Sequence, residues 1–227
     1  MNAFDSTIIH FLSQFAFRFG FLDKLAIATT QLYLLRGLPM ILPLWWFWFR
    51  DGPTRQRDRE IVIATIIASL CALAVGQLLE HWLPYRPRPL ANPELGLHFL
   101  ASSEGEFKNV NAFPSDHAML WCAVATGVLV VSRRIGTFVM AYAILIIGML
   151  RVYVGLHNPT DVLAGAALGV VMCLLLNRER VRQIIAAPVL HFSSRYQPLF
   201  HVGMFLLSFE LVTQFDELRR VGSYLMR

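Results

Sequence analysis

The chain has 227 residues, of which 56% are hydrophobic and only 15% are charged, and its mean hydropathy is +0.53. This apolar content is too high for one soluble core of ordinary composition, so it predicts an integral membrane protein that contacts membrane lipids. The net charge of +5 does not require a nucleic-acid partner, because arginines at helix ends orient membrane proteins. No nucleic acid is expected among the partners.

The N-terminal residues 1–22 are predicted to be an amphipathic segment at the membrane surface. Their polar side chains recur among apolar ones at roughly helical spacing: Asp5, Ser6, His10, Gln14 and Arg18.

Residues 25–49 are predicted to be the first membrane span. Arg36 is its only charge, and we expect a kink at Pro39 or Pro43.

Five further apolar stretches are predicted to cross the membrane. Residues 61–79 carry no charge and would form a helix of about 28 Å, which matches a hydrocarbon core of about 30 Å. The others are residues 118–132, 135–150, 162–177 and, weakened by Glu210, 198–213. The sequence thus predicts an all-α polytopic bundle of about six transmembrane helices. Residues 23–183 would form its core, and residues 184–227 a C-terminal segment that holds the last candidate span.

The basic residues divide unequally between the two ends of this predicted bundle. The loops 50–60, 133–134 and 178–182 hold nine arginines: Arg50, Arg55, Arg57, Arg59, Arg133, Arg134, Arg178, Arg180 and Arg182. The other end holds four basic residues: Arg86, Arg88, Lys108 and Arg151. By the positive-inside rule the first end is cytoplasmic. We therefore predict a multi-pass membrane protein whose second end lies on the non-cytoplasmic face.

Three polar segments meet at that second end: HWLPYRPRP at 81–89, NAFPSDH at 111–117 and RVYVGLHNPTD at 151–161. Their chemically useful side chains are His81, Arg86, Arg88, Ser115, His117, Arg151, His157 and Asp161. Arginine forks and a serine at a helix start suit phosphate oxygens, and two histidines can supply a nucleophile and a proton donor. The set predicts an outward-facing site that handles phosphate.

The spacing near His157 predicts how that histidine is oriented. A helix that begins near Asn158, with Pro159 at its first position, places Asp161 in the first turn beside His157. An aspartate that accepts from one imidazole nitrogen would leave the other nitrogen available to attack phosphorus. The alternatives are that Asp161 only complements the helix dipole and that Ser115 is only a helix N-cap.

The three segments resemble the signature motifs of the type 2 phosphatidic acid phosphatase superfamily, which are K-x6-RP, PSGH and SR-x5-H-x3-D in that order. Here they read H-x6-RP from His81, PSDH from Pro114 and LR-x5-H-x3-D from Leu150. The resemblance implies a helical core with an outward active site, a phosphohistidine intermediate, and no metal or other cofactor.

The resemblance also implies a role for each matching residue. His157 would be the nucleophile, Asp161 its orienting partner and His117 the acid. The phosphate would be held by Arg88, Arg151 and Ser115, with His81 at the lysine position and Arg86 and Asp116 as further candidates. Three positions depart from the pattern. His81 replaces a lysine, and histidine as a residue type titrates near neutral pH. Asp116 replaces a glycine, as in the undecaprenyl-diphosphate phosphatase branch, and Leu150 replaces a serine.

The predicted function is hydrolysis of a lipid phosphate or diphosphate, with undecaprenyl diphosphate as the best candidate substrate. The predicted location is a bacterial inner membrane, with the site open to the periplasm. One alternative is a phosphotransferase that passes the phosphoryl group to another lipid. Another is a non-catalytic protein that binds anionic headgroups. A metal site built from His117, Asp116, His157 and Asp161 is also conceivable, although the spacing does not follow a compact zinc pattern. A vanadate-dependent peroxidase is a remote alternative for a membrane-embedded chain.

Overall fold

A computed structural model describes residues 1–101 and 111–225, and about 80% of the chain is helical with no strand in the described part. The helices are α1 Ala3–Ser13, α2 Gly20–Gln31, α3 Tyr33–Phe49, α4 Arg55–Trp82, α5 Asp116–Val131, α6 Arg133–Tyr153, α7 Pro159–Leu176, α8 Glu179–Arg195, α9 Gln197–Thr213 and α10 Asp216–Leu225. Within α6, Ala143–Met149 is a wider π-helical stretch. The all-α prediction is confirmed.

Several helices have the length and composition of membrane spans. The helices α4, α6 and α7 are long and apolar enough on their own. Two pairs pass the same test only together, because α2 and α3 meet at 70° and α9 and α10 at 89°. Helix α5 is apolar but shorter. A multi-helix membrane bundle is therefore supported, while the count of about six transmembrane helices stays a prediction.

The first predicted span differs from the structure in where it bends. Residues 25–49 do not form one helix kinked at proline, because the chain is extended at Leu32 and a new helix starts after it. Pro39 and Pro43 lie inside α3. Helix α2 is held in another direction by a tertiary contact, since the Tyr153 hydroxyl of α6 donates to Asp23, 2.5 Å away. Local sequence does not encode that contact.

Helix α5 lies at the centre of the bundle, and most of its side chains are buried. It packs against α4 on one side and α7 on the other. Gly165 and Gly169 of α7 face the backbone of α5, where an added Cβ would collide with the carbonyl oxygen of Ser115 or Met119. These glycines therefore permit the close approach that places the starts of α5 and α7 side by side.

The two ends of the bundle have different chemistry. At one end Arg57 and Arg133 border the same groove, and Arg182 pairs with Glu60 at 3.4 Å. The opposite end holds a large cavity. Three arginines that the sequence count left out also lie there: Arg36, Arg219 and Arg220. The excess of basic residues at the first end is thus smaller than predicted, and Lys108 lies outside the described residues.

Candidate active site

A cavity of about 970 Å³ opens at the end of the bundle where α4 ends and α5 and α7 begin. Six predicted site residues line it: His81, Arg88, Asp116, His117, Arg151 and His157. Three others do not line it, namely Arg86, Ser115 and Asp161. The fold therefore gathers all three sequence segments, with some residues on the cavity wall and some behind it.

His157 lies in the loop between α6 and α7 and is 2% exposed. Its Nδ1 is 3.0 Å from the carbonyl oxygen of Ala112. Because a carbonyl oxygen only accepts hydrogen bonds, Nδ1 must carry the proton, which leaves the lone pair on Nε2. Within residues 1–101 and 111–225, Nε2 has no hydrogen-bond partner. The ring is thus held in the tautomer that a nucleophile needs.

The predicted hydrogen bond from His157 to Asp161 is not present, because both carboxylate oxygens of Asp161 are engaged elsewhere. Oδ2 accepts from the backbone and side-chain nitrogens of Asn158, at 2.7 and 2.8 Å, and Oδ1 accepts from Arg86 at 2.5 Å. The predicted helix start is confirmed, with Asn158 as N-cap and Pro159 as the first residue of α7. Asp161 therefore positions the backbone next to His157 and does not contact its ring.

The surroundings of His157 disfavour its charged form. Burial, followed by the positive charges of Arg88 and Arg151, lowers the pKa of His157 from 6.5 to about 3. The imidazole is therefore neutral at physiological pH, and its Nε2 lone pair is not blocked by a proton.

His117 is oriented by its neighbour Asp116, the residue that replaces the motif glycine. Oδ1 of Asp116 lies 2.7 Å from Nδ1 of His117 and also accepts from the His117 backbone N–H at 2.7 Å. The carboxylate accepts, so Nδ1 carries a proton. Nε2 of His117 is buried and has no hydrogen-bond partner in the described part of the chain. Burial and the charge of Arg151 hold the pKa of His117 well below its usual range, and the Asp116 carboxylate opposes that shift by favouring the doubly protonated ring, which is the form that can act as an acid.

Two buried arginines share the cavity with these histidines. Arg88 is 7% exposed, and its Nη1 donates to the carbonyl oxygen of Leu156 at 3.3 Å. Burial lowers the pKa of the Arg88 guanidinium, and the nearby carboxylates of Asp116 and Glu80 oppose that shift. Arg151 is 6% exposed, and its guanidinium makes no hydrogen bond to any residue that the structure describes. This wall of the cavity is suited to an anion.

Arg86 and Ser115 form hydrogen bonds with other protein groups and do not line the cavity. Arg86 bridges Asp161 and Asp5, with both nitrogen–oxygen distances at 2.5 Å, and it lies behind the cavity wall. Ser115 is the N-cap of α5, where its Oγ accepts from Ala118 at 3.5 Å. The capping alternative therefore describes its observed contact, and phosphate binding by Ser115 stays a prediction.

His81 lies at the mouth of the cavity, on the last turn of α4. Its Nδ1 is 2.8 Å from the carbonyl oxygen of Gln77, and its side chain is exposed. Phosphate binding by His81 stays a prediction.

Sequence reasoning missed three residues that shape the site. Asp5 is fully buried and accepts from the Thr160 backbone and hydroxyl, both at 2.8 Å. The Asn111 side chain joins the PSDH segment to the end of α4 through the carbonyl oxygens of Glu80, Leu83 and Pro84. Arg36 lines the cavity. Only Arg36 gave a usable signal, as a lone charge in an apolar run.

The conceivable metal site is not assembled in the described residues. No group of three or more His, Cys, Asp or Glu side chains there is arranged to hold a metal ion. Asp161 does not line the cavity, and its carboxylate oxygens accept from Arg86 and Asn158. A metal-independent reaction stays a prediction.

Residues 60–184, more than half of the chain, match the PAP2 superfamily. The chain belongs to this superfamily. Among its curated relatives, the putative undecaprenyl-diphosphatase YbjG of Escherichia coli is 32% identical over 142 residues, which are 62% of this chain and 65% of that protein. The undecaprenyl-diphosphatase BcrC of Bacillus subtilis is 26% identical over 157 residues, 69% of this chain and 74% of that protein.

A third relative carries a different name. The bacitracin transport permease protein BcrC of Bacillus licheniformis is 28% identical over 146 residues, which are 63% of this chain and 65% of that protein. The chain thus spans slightly less than two thirds of this relative and of YbjG. No solved structure matches it.

The PAP2 region contains all the motif residues but does not enclose the cavity alone. Part of the lining lies outside residues 60–184, at the end of α2 and the start of α3 and from Gln214 to Arg220 at the C-terminal end. Asp5, which supports the wall, also lies outside. In this PAP2 protein the flanking helices complete the site.

Proposed function

We propose that this PAP2 protein is a lipid phosphatase that hydrolyses a polyprenyl diphosphate, with undecaprenyl diphosphate as the best candidate. One observation carries the proposal: a buried, neutral His157 shares a cavity with Arg88 and Arg151, and its Nε2 has no hydrogen-bond partner among the described residues. A nucleophile beside two buried guanidinium groups suits attack on a phosphoryl group.

The first step forms a phosphohistidine. Nε2 of His157 attacks the terminal phosphorus, while Arg88 and Arg151 hold its non-bridging oxygens. The bond from phosphorus to the bridging oxygen breaks, and the bridging oxygen leaves with the lipid phosphate. The proposed acid is His117 in its doubly protonated form, which Asp116 and the negative charge of the bound diphosphate favour against burial and Arg151, and it gives its Nε2 proton to that leaving oxygen.

The second step releases inorganic phosphate. His117, now neutral at Nε2, takes a proton from water as the water oxygen attacks the phosphohistidine. The N–P bond breaks, and the electron pair returns to Nε2 of His157. Asp161 acts through Asn158 and Arg86 by fixing the backbone on which His157 is carried. No metal or other cofactor takes part in the proposed reaction.

The choice of substrate is supported by the names of the relatives, two of which are described as undecaprenyl-diphosphatases, one of them as putative. An apolar bundle with a cavity at one end also suits a substrate whose lipid tail stays in the bilayer. The proposed location is a bacterial inner membrane with the cavity on the periplasmic face. Labelling a cysteine at Glu94, in an otherwise cysteine-free protein, with an impermeant maleimide tests that orientation. A Glu94→Cys protein labelled only after permeabilisation contradicts it.

The test of the activity is phosphate release from a panel of lipid monophosphates and diphosphates by the protein purified in detergent. Wild type should release phosphate, and His157→Ala should lower the rate by more than about 1,000-fold. His98→Ala, which removes an exposed histidine outside the cavity lining, should behave as wild type. A wild type inert on the whole panel, or an active His157→Ala, refutes the proposal. Labelled phosphate found on a second lipid would identify a phosphotransferase.

A further inference from the structure

The cavity has a second cationic wall outside the region that matches the family. Arg36, near the start of α3, lines the cavity and is only 5% exposed. It is the single charge between Leu25 and Phe49. A guanidinium buried in so apolar a helix is costly, and it is retained where a partner or a ligand compensates its charge.

Protein groups compensate Arg36 only in part. Nη1 donates to the carbonyl oxygen of Thr30 at 3.2 Å, and the guanidinium carbon lies 4.7 Å from the centre of the Tyr33 ring. Its Nε is buried without a hydrogen-bond partner among the described residues. None of the ion pairs between described residues includes Arg36. Because an arginine has five N–H donors, several remain for an anionic ligand.

The carboxylate on the same wall is already engaged. Asp216 accepts from the Tyr33 hydroxyl at 2.9 Å and from Arg219 at 2.8 Å. These bonds fix the start of α10 beside Arg36, but they occupy the two oxygens of Asp216. Asp216 therefore compensates the charge of Arg36 through space without forming one of the described ion pairs with it, and Arg36 keeps N–H donors for a ligand in the cavity.

We propose that Arg36 binds the lipid-linked phosphoryl group of a diphosphate substrate, which is the group that leaves when His157 attacks the terminal one. This inference rests on the proposed function, since it concerns the leaving group of that reaction. It makes Arg36 a specificity-determining residue that favours diphosphates over monophosphates.

The position of Arg36 in the cavity supports its assignment to the leaving phosphoryl group. Arg88, Arg151 and His157 line the cavity from the motif segments and are assigned to the terminal phosphoryl group. Arg36 lines it from α3, outside those segments. In an in-line displacement the leaving oxygen departs opposite to the nucleophile. The proposed acid, His117, must be on that side to protonate it. Among the described residues, Arg36 is the one buried arginine of the cavity lining that is not assigned to the terminal phosphoryl group, so it is available to the leaving one.

The two classes of substrate present different groups to Arg36. A diphosphate places a charged phosphate there, and that phosphate gains negative charge as the bridging bond breaks. A fixed guanidinium stabilises this charge with charge-assisted hydrogen bonds. A monophosphate places only an ester oxygen and the first carbons of the lipid there. Arg36 therefore contributes to diphosphate hydrolysis and little to monophosphate hydrolysis.

The test compares a polyprenyl diphosphate with the monophosphate of the same chain length, on the same detergent-purified preparation. Arg36→Gln should lower kcat/KM for the diphosphate by roughly 10- to 100-fold and change the monophosphate value less than about threefold. Arg36→Lys, which keeps a point charge without the fork, should fall between Arg36→Gln and wild type. The ratio of the two values is insensitive to a misfolded fraction, because that fraction lowers both equally.

The matched control is Arg182→Gln. Arg182 is also a buried arginine, but it pairs with Glu60 and the Asn177 carbonyl at the other end of the bundle. In Arg182→Gln, the ratio of kcat/KM for the diphosphate to kcat/KM for the monophosphate should equal that of wild type. An unchanged ratio in Arg36→Gln overturns the inference and leaves the proposed function intact. A wild type that hydrolyses no lipid phosphate overturns the proposed function itself.

Inorganic pyrophosphate, added as an inhibitor, identifies what the subsite recognises. If its inhibition weakens in Arg36→Gln together with diphosphate hydrolysis, the subsite binds a diphosphate from either source. If only lipid diphosphate hydrolysis weakens, the subsite needs the lipid-attached form. Both results support binding of the second phosphoryl group by Arg36.

Discussion

The two histidines are oriented by different kinds of acceptor. A side-chain carboxylate, Asp116, holds His117, and a backbone carbonyl, that of Ala112, holds His157. The motifs predicted that both histidines would reach one site. They did not predict the acceptor of His157, because a backbone carbonyl is available at every residue and leaves no mark in the sequence. Asp161 looked suitable from its spacing, yet its oxygens bond the N-cap of α7 and Arg86.

Burial of a neutral His157 makes the stability of the fold depend on pH. The pKa of His157 is about 3 in the folded protein and about 6.5 for an unfolded histidine. Between these values the unfolded chain binds one more proton, so the free energy of unfolding falls as the pH is lowered from about 6.5 towards 3. The loss is up to about 1.4 kcal/mol for each pH unit.

This dependence is measured with apparent melting temperatures of wild type and His157→Gln in detergent between pH 7 and 4. His157→Gln lacks the titrating group, so its melting temperature should fall less on acidification than that of wild type. If the melting temperatures of the two proteins fall equally as the pH is lowered, the pKa of His157 is not the source of the pH dependence.

At the scale of elements, α1 is part of the support of the site. Asp5 of α1 bonds Thr160 at the start of α7 and pairs with Arg86, which in turn pairs with Asp161. Sequence periodicity predicted a helix here and assigned its polar residues to a surface. The burial of Asp5 could not be predicted, because its partners lie 81 and 155 positions away in the chain. Placement of α1 at the membrane interface stays a prediction.

Removing the Asp5 carboxylate should loosen the start of α7. Asp5→Ala removes one of the two carboxylates that pair with the partly buried Arg86 and leaves the Thr160 N–H without its acceptor. Breaking a buried pair costs about 3–5 kcal/mol, so for this pair, whose Arg86 side is partly exposed, we expect a loss of up to that size and a fall in melting temperature of up to roughly 6 to 20 °C. We expect kcat to fall about ten- to a hundredfold, because His157 precedes this helix start.

Asp51→Ala is the matched control for that variant. Asp51 pairs with Arg55 at 3.0 Å, but its side chain is 84% exposed, and exposed pairs contribute little. Its melting temperature and activity should match those of wild type. If the melting temperature and kcat of Asp5→Ala also equal those of wild type, α1 does not support the site.

At the scale of the whole molecule, composition and hydropathy predicted the helical class, and three short motifs predicted which helix ends converge. The helix starts at Asn158 and Asp116 agree with those motifs because capping residues and proline act locally. The break at Leu32 and the closure of the cavity by the two ends of the chain were not predicted. Both depend on contacts between distant segments, such as Tyr153 with Asp23 and Tyr33 with Asp216.

The central claim is that His157 becomes phosphorylated. The most direct test mixes the protein with a polyprenyl diphosphate labelled in its terminal phosphate, denatures the mixture rapidly, and compares the protein-bound label after treatment with acid and with alkali. The predicted result is a covalent label that is lost in acid, is stable in alkali and maps to the peptide containing His157. It should be absent from His157→Ala and present in His98→Ala. Label on another residue, or label retained in His157→Ala, would contradict the account.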